Sequence, residues 1–324
     1  MKRILKTVSS ILCGLVFSAT ALAAGYPERA VTVVVPYTPG GSSDITARTV
    51  SQKLSEILGQ NIMIENKAGA NGSIGAIYVA KAKPDGYTLF VAPIGPLAIN
   101  PTLYKDLGYE PRRDFDLLSV AVRTPSALVA HPKFPANTVA ELVDYLKRNA
   151  NKVSFASSGT GSSDHLIAAL FWQKTGTTGI HVPYKGGSAA YADLIGGSTD
   201  VSFQNLGSIS NHVRSGRMKL LAVTSDKREP IFPNAPTMAE AGVQGLVVFS
   251  WQAIVAPKGL PKDVMDKLQP AIVAALRDPT VVKKFSDIGF EVVGNSSAEF
   301  AKFLNEELAR WKAVVETGGI KQSD

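Results

Sequence analysis

From Val31 onward the chain repeats one unit: a short apolar run rich in β-branched residues, a glycine-bearing loop, then apolar residues at helical spacing. The first instance is Val31 to Val35 followed by Ile45, Val50, Leu54, Ile57 and Leu58. The pattern recurs at Ile62 to Ile64 before Gly72 to Ala80, at Thr88 to Val91, at Val153 to Ala156 before Leu166 to Phe171, and at Ile180 to Val182. Val201 to Phe203 and Leu220 to Val223 read as further strands. Such runs suit strands buried on both faces by helices, so the sequence predicts an α/β fold with mostly parallel sheets.

Two of these units share a tetrapeptide, Gly41-Ser42-Ser43-Asp44 and Gly161-Ser162-Ser163-Asp164, each after a strand and at a helix start. A second echo links Val35-Pro36-Tyr37-Thr38-Pro39-Gly40-Gly41 to Val182-Pro183-Tyr184-Lys185-Gly186-Gly187. These positions suit two similar lobes. Val120 to Val129 reads as the strand crossing between them, and the return falls between Leu220 and Ala256, where Pro233, Pro236 and Gly242 punctuate the chain. The expected domains are therefore 24–123 with 227–324, and 124–226. Helical patterns from Asp263 to Leu276 and Ala298 to Val315 pack back on the first lobe.

The first 23 residues set the expected compartment. Lys2, Arg3 and Lys6 precede an apolar stretch, Ile11 to Phe17, and Ala21-Leu22-Ala23 ends it, which is the pattern of a cleaved secretory signal. The single cysteine, Cys13, lies inside that segment with Leu12 before it, where a lipoprotein site needs a small residue. Removal of the 23 residues from 324 leaves 301, without cysteine, stabilised by burial alone. Of 34 Lys and Arg residues the segment carries three, so 31 remain against 27 Asp and Glu, a balance of +4. No basic run with interleaved aromatics occurs, so nucleic acid is not an expected partner.

The chemistry lies in the glycine-rich turns. A helix N-terminus leaves backbone N–H groups unpaired and carries about half a positive charge, so it receives carboxylate or phosphate. Glycine admits the ligand to the backbone, and serine or threonine adds a hydroxyl. Gly40 to Ser43 and Ser157-Ser158-Gly159-Thr160-Gly161-Ser162 both have this composition. Alone, Ser42 or Ser162 reads as the cap of its own helix; as a pair on opposing lobes the loops can grip an anion from both ends.

The ordered motifs resemble a family. Pro36 to Asp44 with Ala47-Arg48, Glu65 to Gly72, Pro84 to Leu89, Ala98 to Pro101 with Leu103-Tyr104, Ser158 to Ser162 with His165-Leu166, Val182 to Gly186, Asp193-Leu194 with Gly196-Gly197, and Pro236 to Met238 with Glu240 to Gly242 are similar to the Bug, or TctC-type, receptors of tripartite tricarboxylate transporters. The match runs along the whole chain after the signal. The resemblance implies a type II-like, two-lobe periplasmic binding fold with the ligand in the interlobe cleft. It implies a small organic anion, a carboxylate, as ligand and membrane permease subunits as partners; with the signal segment, the expectation is a monomer in the periplasm without a cofactor. The first lobe would supply Tyr37, Pro39, Gly40, Gly41, Ser42 and Asp44. The second would supply Ser157 to Ser162, His165, Tyr184, Lys185 and Gly186. Where many members carry an acidic residue after a strand phenylalanine, Phe203 is followed by Gln204, which argues against an amino-acid ligand if that side chain faces the cleft.

Several residues keep two readings. Asp44 either serves its own helix or holds a water or ligand amine, and His165 either packs behind the site or touches the ligand. Tyr37 is a cleft wall or an ordinary buried tyrosine. Lys185 sits in a turn where a solvated lysine is as natural as a ligand contact, Lys67 has the weaker case, and Arg48 suits a structural ion pair. A hydrolase would pair Ser162 or Ser163 with His165, but no Gly-x-Ser-x-Gly elbow occurs. The four histidines lack metal-ligand spacing, and Gly159-Thr160-Gly161 is not followed by the third glycine of a dinucleotide loop. A receptor feeding a sensor kinase would share the same binding chemistry.

Overall fold

The computed structural model describes residues 25–317, so the expected signal segment, Cys13 included, lies outside the described residues. The first repeat units form β1 (Val31–Val35), α1 (Ser42–Leu58), β2 (Ile62–Asn66), α2 (Ser73–Ala80) and β3 (Thr88–Pro93). A 3-10 turn at Ala70–Gly72 precedes α2, and a π-helical turn at Gly95–Ile99 runs into α3 (Asn100–Leu103). After α4 (Pro111–Asp114) comes the long strand β4 (Phe115–Ala130). The second set comprises α5 (Val139–Arg148), β5 (Ser154–Ser157), α6 (Ser163–Thr175), β6 (Ile180–Pro183), α7 (Gly187–Gly196), β7 (Val201–Asn205), α8 (Leu206–Arg214) and β8 (Lys219–Val223). The chain ends with β9 (Phe249–Pro257), α9 (Lys262–Arg277), α10 (Pro279–Ser286), β10 (Glu291–Val292) and α11 (Ser297–Thr317).

Two parallel blocks, β2-β1-β3 and β6-β5-β7, are joined through antiparallel strands in the order β2-β1-β3-β9-β4-β7-β5-β6. β4 serves both sheets: Phe115 to Pro125 pair with β9, and Ser126 to Ala130 pair with β7. The sheets are thus mixed, where the strand–helix alternation predicts mostly parallel pairing. The reason is directional. The strand leaving the first lobe and the strand returning to it run side by side, and apolar periodicity carries no information on strand direction.

Strand alternation builds the core. Val31, Val33 and Val35 point into one apolar cluster with Leu54 of α1 and Leu268, Leu276 and Phe285 of α9 and α10. Val34 points to the other face, where Phe90, Phe115, Phe155, Phe171, Phe203 and Trp251 form a larger cluster that runs through both lobes. Each such side chain contributes roughly 1.5–3 kcal/mol when fully buried. α11 closes this face: its buried Glu307 accepts hydrogen bonds from Trp251 Nε1 (2.7 Å) and Trp311 Nε1 (3.1 Å), so the one buried carboxylate there ties the C-terminal helix to β9. Both lobes therefore present the carboxyl ends of their parallel strands, β1 and β5, toward the gap between them, which is where open α/β sheets receive ligands.

Candidate functional site

The loop after β1 ends in Gly41, the extended N-cap of α1 (φ −83°, ψ 175°), which makes no side-chain cap. The first helical N–H groups have no intrahelical acceptor, and the residues at this helix start, Ser42 and Ser43, line the interlobe gap. Opposite them, Ser162 caps α6, accepting from His165 N at 3.3 Å. A small cavity of about 30 Å³ lies between the two helix starts, walled by Gly41, Ser42 and Ser43 on one side and by Ser158, Ser162 and Asp164 on the other. Tyr37, Tyr191, Asn205 and Gln252 also line it. An outer cleft of about 560 Å³ shares Tyr37 and Ser158 and adds Gly159, Thr160, Tyr184 and Lys185.

Direct bonds hold the lobes together across this gap. Thr38 Oγ1 and Ser188 Oγ are 2.7 Å apart, and Asn205 Nδ2 donates to Ser42 Oγ at 2.9 Å. Glycine makes the approach possible at two points. A Cβ on Gly186 (φ +142°) would fall 2.6 Å from Thr38 Oγ1 and 3.2 Å from Tyr37 Cβ, and one on Gly161 (φ +77°) would fall 2.6 Å from Leu103 Cδ1 of the first lobe. Both glycines thus work at the lobe contact as well as in their turns.

The polar side chains are held in place by named partners. Tyr37 Oη donates to Asn71 Oδ1 (2.8 Å), and Asn71 in turn donates to Asn100 Oδ1 (2.8 Å). Burial first, and the charge of Asp164 second, push the Tyr37 phenol well above its ordinary value, so it stays a neutral donor. Asp44 accepts from Gly40 N (3.0 Å), Arg48 Nε (2.9 Å) and Asn66 Nδ2 (3.2 Å). Burial raises its pKa, but those three bonds and the Arg48 charge outweigh it and hold the carboxyl below its usual range. Asp44 therefore serves its own helix and loop, and Arg48 is its structural ion partner.

His165 and His181 stack with ring centroids 3.8 Å apart. His165 Nδ1 accepts from Gly161 N (3.1 Å), and His181 Nε2 lies 2.7 Å from Ser157 Oγ. Burial pulls the two imidazoles down to about 4 and about 3, the second helped by its neighbour, so both are neutral near pH 7. They brace the second-lobe loop from behind. The Ser162 hydroxyl is occupied as a helix cap and the His165 ring engages Gly161, so the arrangement is not that of a nucleophile and its base. Among the described residues no group of three or more His, Cys, Asp or Glu is gathered as for a metal ion.

Of the side chains expected from sequence, the structure gathers Tyr37, Gly41, Ser42, Ser158, Gly159, Thr160, Ser162, Tyr184 and Lys185 around the two cavities. Pro39, Gly40, Asp44, Ser157, Gly161, His165, Gly186 and Gln204 line neither. Gln204 is 1% exposed and donates to Ser202 Oγ (2.8 Å) on the face of the sheet. The next residue, Asn205, stands at the carboxyl end of β7 and lines the cavity, so the amide that this strand end brings to the cavity is Asn205 and not Gln204. Tyr184 directs its hydroxyl to Asp193 Oδ2 (2.5 Å), and its pKa is pushed up to about 12 by burial and that carboxylate. Asp164, Tyr191, Asn205 and Gln252 are among the lining residues that sequence did not single out for the site. Asp164 closes the repeated tetrapeptide and was legible as such; Gln252 sits in an apolar run, and only the β9 pairing turns it to the cavity, where it accepts from Ser43 Oγ (2.7 Å). Larger depressions, about 940 and about 610 Å³, lie away from the helix starts, beside Pro233 to Ala241 and beside Phe290 to Val293.

The sequence matches the TctC model, tripartite tricarboxylate transporter family receptor, over residues 46–320. Protein BugT of Bordetella pertussis (strain Tohama I) is 34% identical over 322 residues, 99% of either chain. The structure of Rpa4515 from R. palustris with adipate superposes with a TM-score of 0.89 at 36% identity, covering 91% of this chain and 99% of that one. The structure of MatC (Rpa3494) from Rhodopseudomonas palustris with bound malate gives a TM-score of 0.86 at 32% identity, covering 90% and 100%.

Proposed function

The chain belongs to the tripartite tricarboxylate transporter receptor family, and from that premise we propose that it closes its lobes around a small organic carboxylate and presents it to the family's membrane partners. It is a solute receptor of the periplasmic binding kind, not an enzyme. One observation carries the ligand class: two helix N-termini, from α1 and α6, face one cavity from opposite lobes. Each offers backbone donors and about half a positive charge to an anion. The adipate and malate held by two structural relatives agree with that chemistry.

In this reading Gly41, Ser42, Ser158 and Ser162 contact the ligand directly, and Tyr37 walls it. Asp44, Ser157, His165, Gly161 and Gly186 shape the loops and the lobe contact. Thr160, Tyr184 and Lys185 guard the outer cleft. The first lobe comprises the chain up to 123 and the C-terminal part, and the second begins at 124. Bonds from Val223 N to Pro236 O (2.9 Å) and from Val248 N to Thr224 O (3.1 Å) keep 225–248 beside β8, which supports a return as late as Phe249 in place of 227. Both halves of the site come from one chain, which supports a receptor that works as a monomer. It works in the periplasm after removal of residues 1–23, and intact mass of exported protein beginning at Ala24 tests that step.

The functional test is a thermal-shift screen of organic acids followed by calorimetry, with small-angle scattering on any acid that binds. A carboxylate that raises the melting temperature and contracts the radius of gyration supports the clamp. Full affinity in one lobe expressed alone, with no contraction, sinks it.

A further inference from the structure

Asp164 is out of place in a site built only for anions. It is 3% exposed, it lines the same cavity as Ser42 and Ser43, and its oxygens accept only from neutral donors: Ser158 N (3.1 Å), Ser158 Oγ and Ser163 Oγ (3.3 Å). Among the described residues no Lys, Arg or His forms an ion pair with it, whereas Asp44, its counterpart in the repeat, has Arg48. The titratable groups around it are Tyr37 from the first lobe and Tyr191 from α7, both held neutral, with His165 on its own helix turned to His181 of β6. Lys185 and the Tyr184–Asp193 pair stand in or beside the outer cleft. Burial raises the Asp164 carboxyl to about 6.

A second acceptor faces the same space. Asn205 lines the cavity, and while its Nδ2 is engaged by Ser42, its Oδ1 is buried without a hydrogen-bond partner. Two helix starts supply about one unit of positive charge between them, and one carboxylate cancels about as much. A ligand that brought only negative charge would meet Asp164 at close range in a medium that screens poorly. A buried acceptor left without a donor is also costly.

We infer that the ligand carries, beside the carboxylate received at the α1 N-terminus, a hydrogen-bond donor of its own, a hydroxyl or an ammonium group, which Asp164 and Asn205 Oδ1 accept. This rests on the carboxylate reading above and narrows it to hydroxy acids and amino acids. The two sources differ in what they need from Asp164. An ammonium group calls for its charge, and a hydroxyl only for its lone pairs.

Calorimetry on the chain from Ala24 tests this with matched acids of three lengths: propionate, lactate and alanine; succinate, malate and aspartate; glutarate, 2-hydroxyglutarate and glutamate. In a series that binds, the donor-bearing acid should bind about 10-fold or more tightly than its donor-free parent. Asp164→Leu and Asn205→Ala should each shrink that ratio, with folding checked by circular dichroism. Asp164→Asn keeps an acceptor without the charge, so it should spare a hydroxy acid and weaken an amino acid. The inference is overturned if the donor-free parents bind as tightly or more tightly, or if they bind with uptake of a proton that Asp164→Asn abolishes. Binding in no series, and to no other acid of the organic-acid screen, removes the carboxylate reading itself, and this inference with it.

Discussion

The loops Gly41-Ser42-Ser43-Asp44 and Gly161-Ser162-Ser163-Asp164 carry the same four residues in the same order at the starts of two helices that face each other, yet they are used differently. In the first, Gly41 is the N-cap and Ser42 is free to accept from Asn205 across the gap. In the second the helix begins one residue later, and Ser162 caps it. Asp44 finds Arg48 one turn on and is held ionised. At the corresponding position after Asp164 stands Ala168, and burial raises the carboxyl unopposed by any cation. A motif fixes the local backbone; its titration and partners come from residues a turn away and from the other lobe.

The sharpest way to break the comparison is at the glycines where the lobes touch. Gly186→Val or Gly161→Val places a side chain in a left-handed backbone against the first lobe. Strain of about 1–3 kcal/mol plus the clash should lower ligand affinity by about 100-fold or more. Gly41 has nothing nearer than 3.9 Å to its Cβ position, so Gly41→Ala should cost much less. Calorimetry on folded variants, with scattering to detect a failure to contract, separates the two.

The second effect is on stability and its sign differs between the loops. Asp164 has a folded pKa raised from 3.8 to about 6, so its contribution is most favourable at low pH and is lost as pH rises through 6. Asp164→Asn should therefore stabilise the ligand-free protein at pH 7, by up to about 3 kcal/mol. Asp44 has a depressed pKa, so its contribution is present above its unfolded value and is lost in acid. Asp44→Asn should destabilise at pH 7 by about 1–2 kcal/mol. Urea unfolding of both variants at pH 7 reads the signs directly, and equal signs would end the distinction.

Acid should expose the histidine brace. His165 and His181 fold with pKa values near 4 and 3 against an ordinary 6.5, so the unfolded chain binds their protons first and stability falls as pH drops below 6.5. Asp164 opposes that slope between its two values, so the acid loss should be steeper in Asp164→Asn than in the wild type. Urea midpoints between pH 7 and pH 4 measure it; parallel curves would remove Asp164 from the balance. The smallest effect is at the serines. Ser162→Ala should cost about 1 kcal/mol of stability as a lost cap. Ser42→Ala, with no cap to lose, should instead weaken ligand affinity through the missing cross-lobe bond, by about 1 kcal/mol.

The sequence by itself determined most of the strands, several of the long helices and the two glycine-bearing loops at helix starts, because apolar periodicity and glycine placement act within one turn or one strand of the residue concerned. Val31 to Val35, the crossing at Val120 to Val129 and the start of α6 all followed from such local rules. Strand direction in β4 and β9 and the turning of Gln252 and Asn205 into the cavity depended on pairings between segments far apart in the chain. So did the stacking of His165 on His181 and the isolation of Asp164 from any cation. Those pairings are decided by long-range packing, which leaves no period in the sequence, and so only the tertiary structure decided that Asp164 is enclosed by neutral groups while Asp44 reaches its partners.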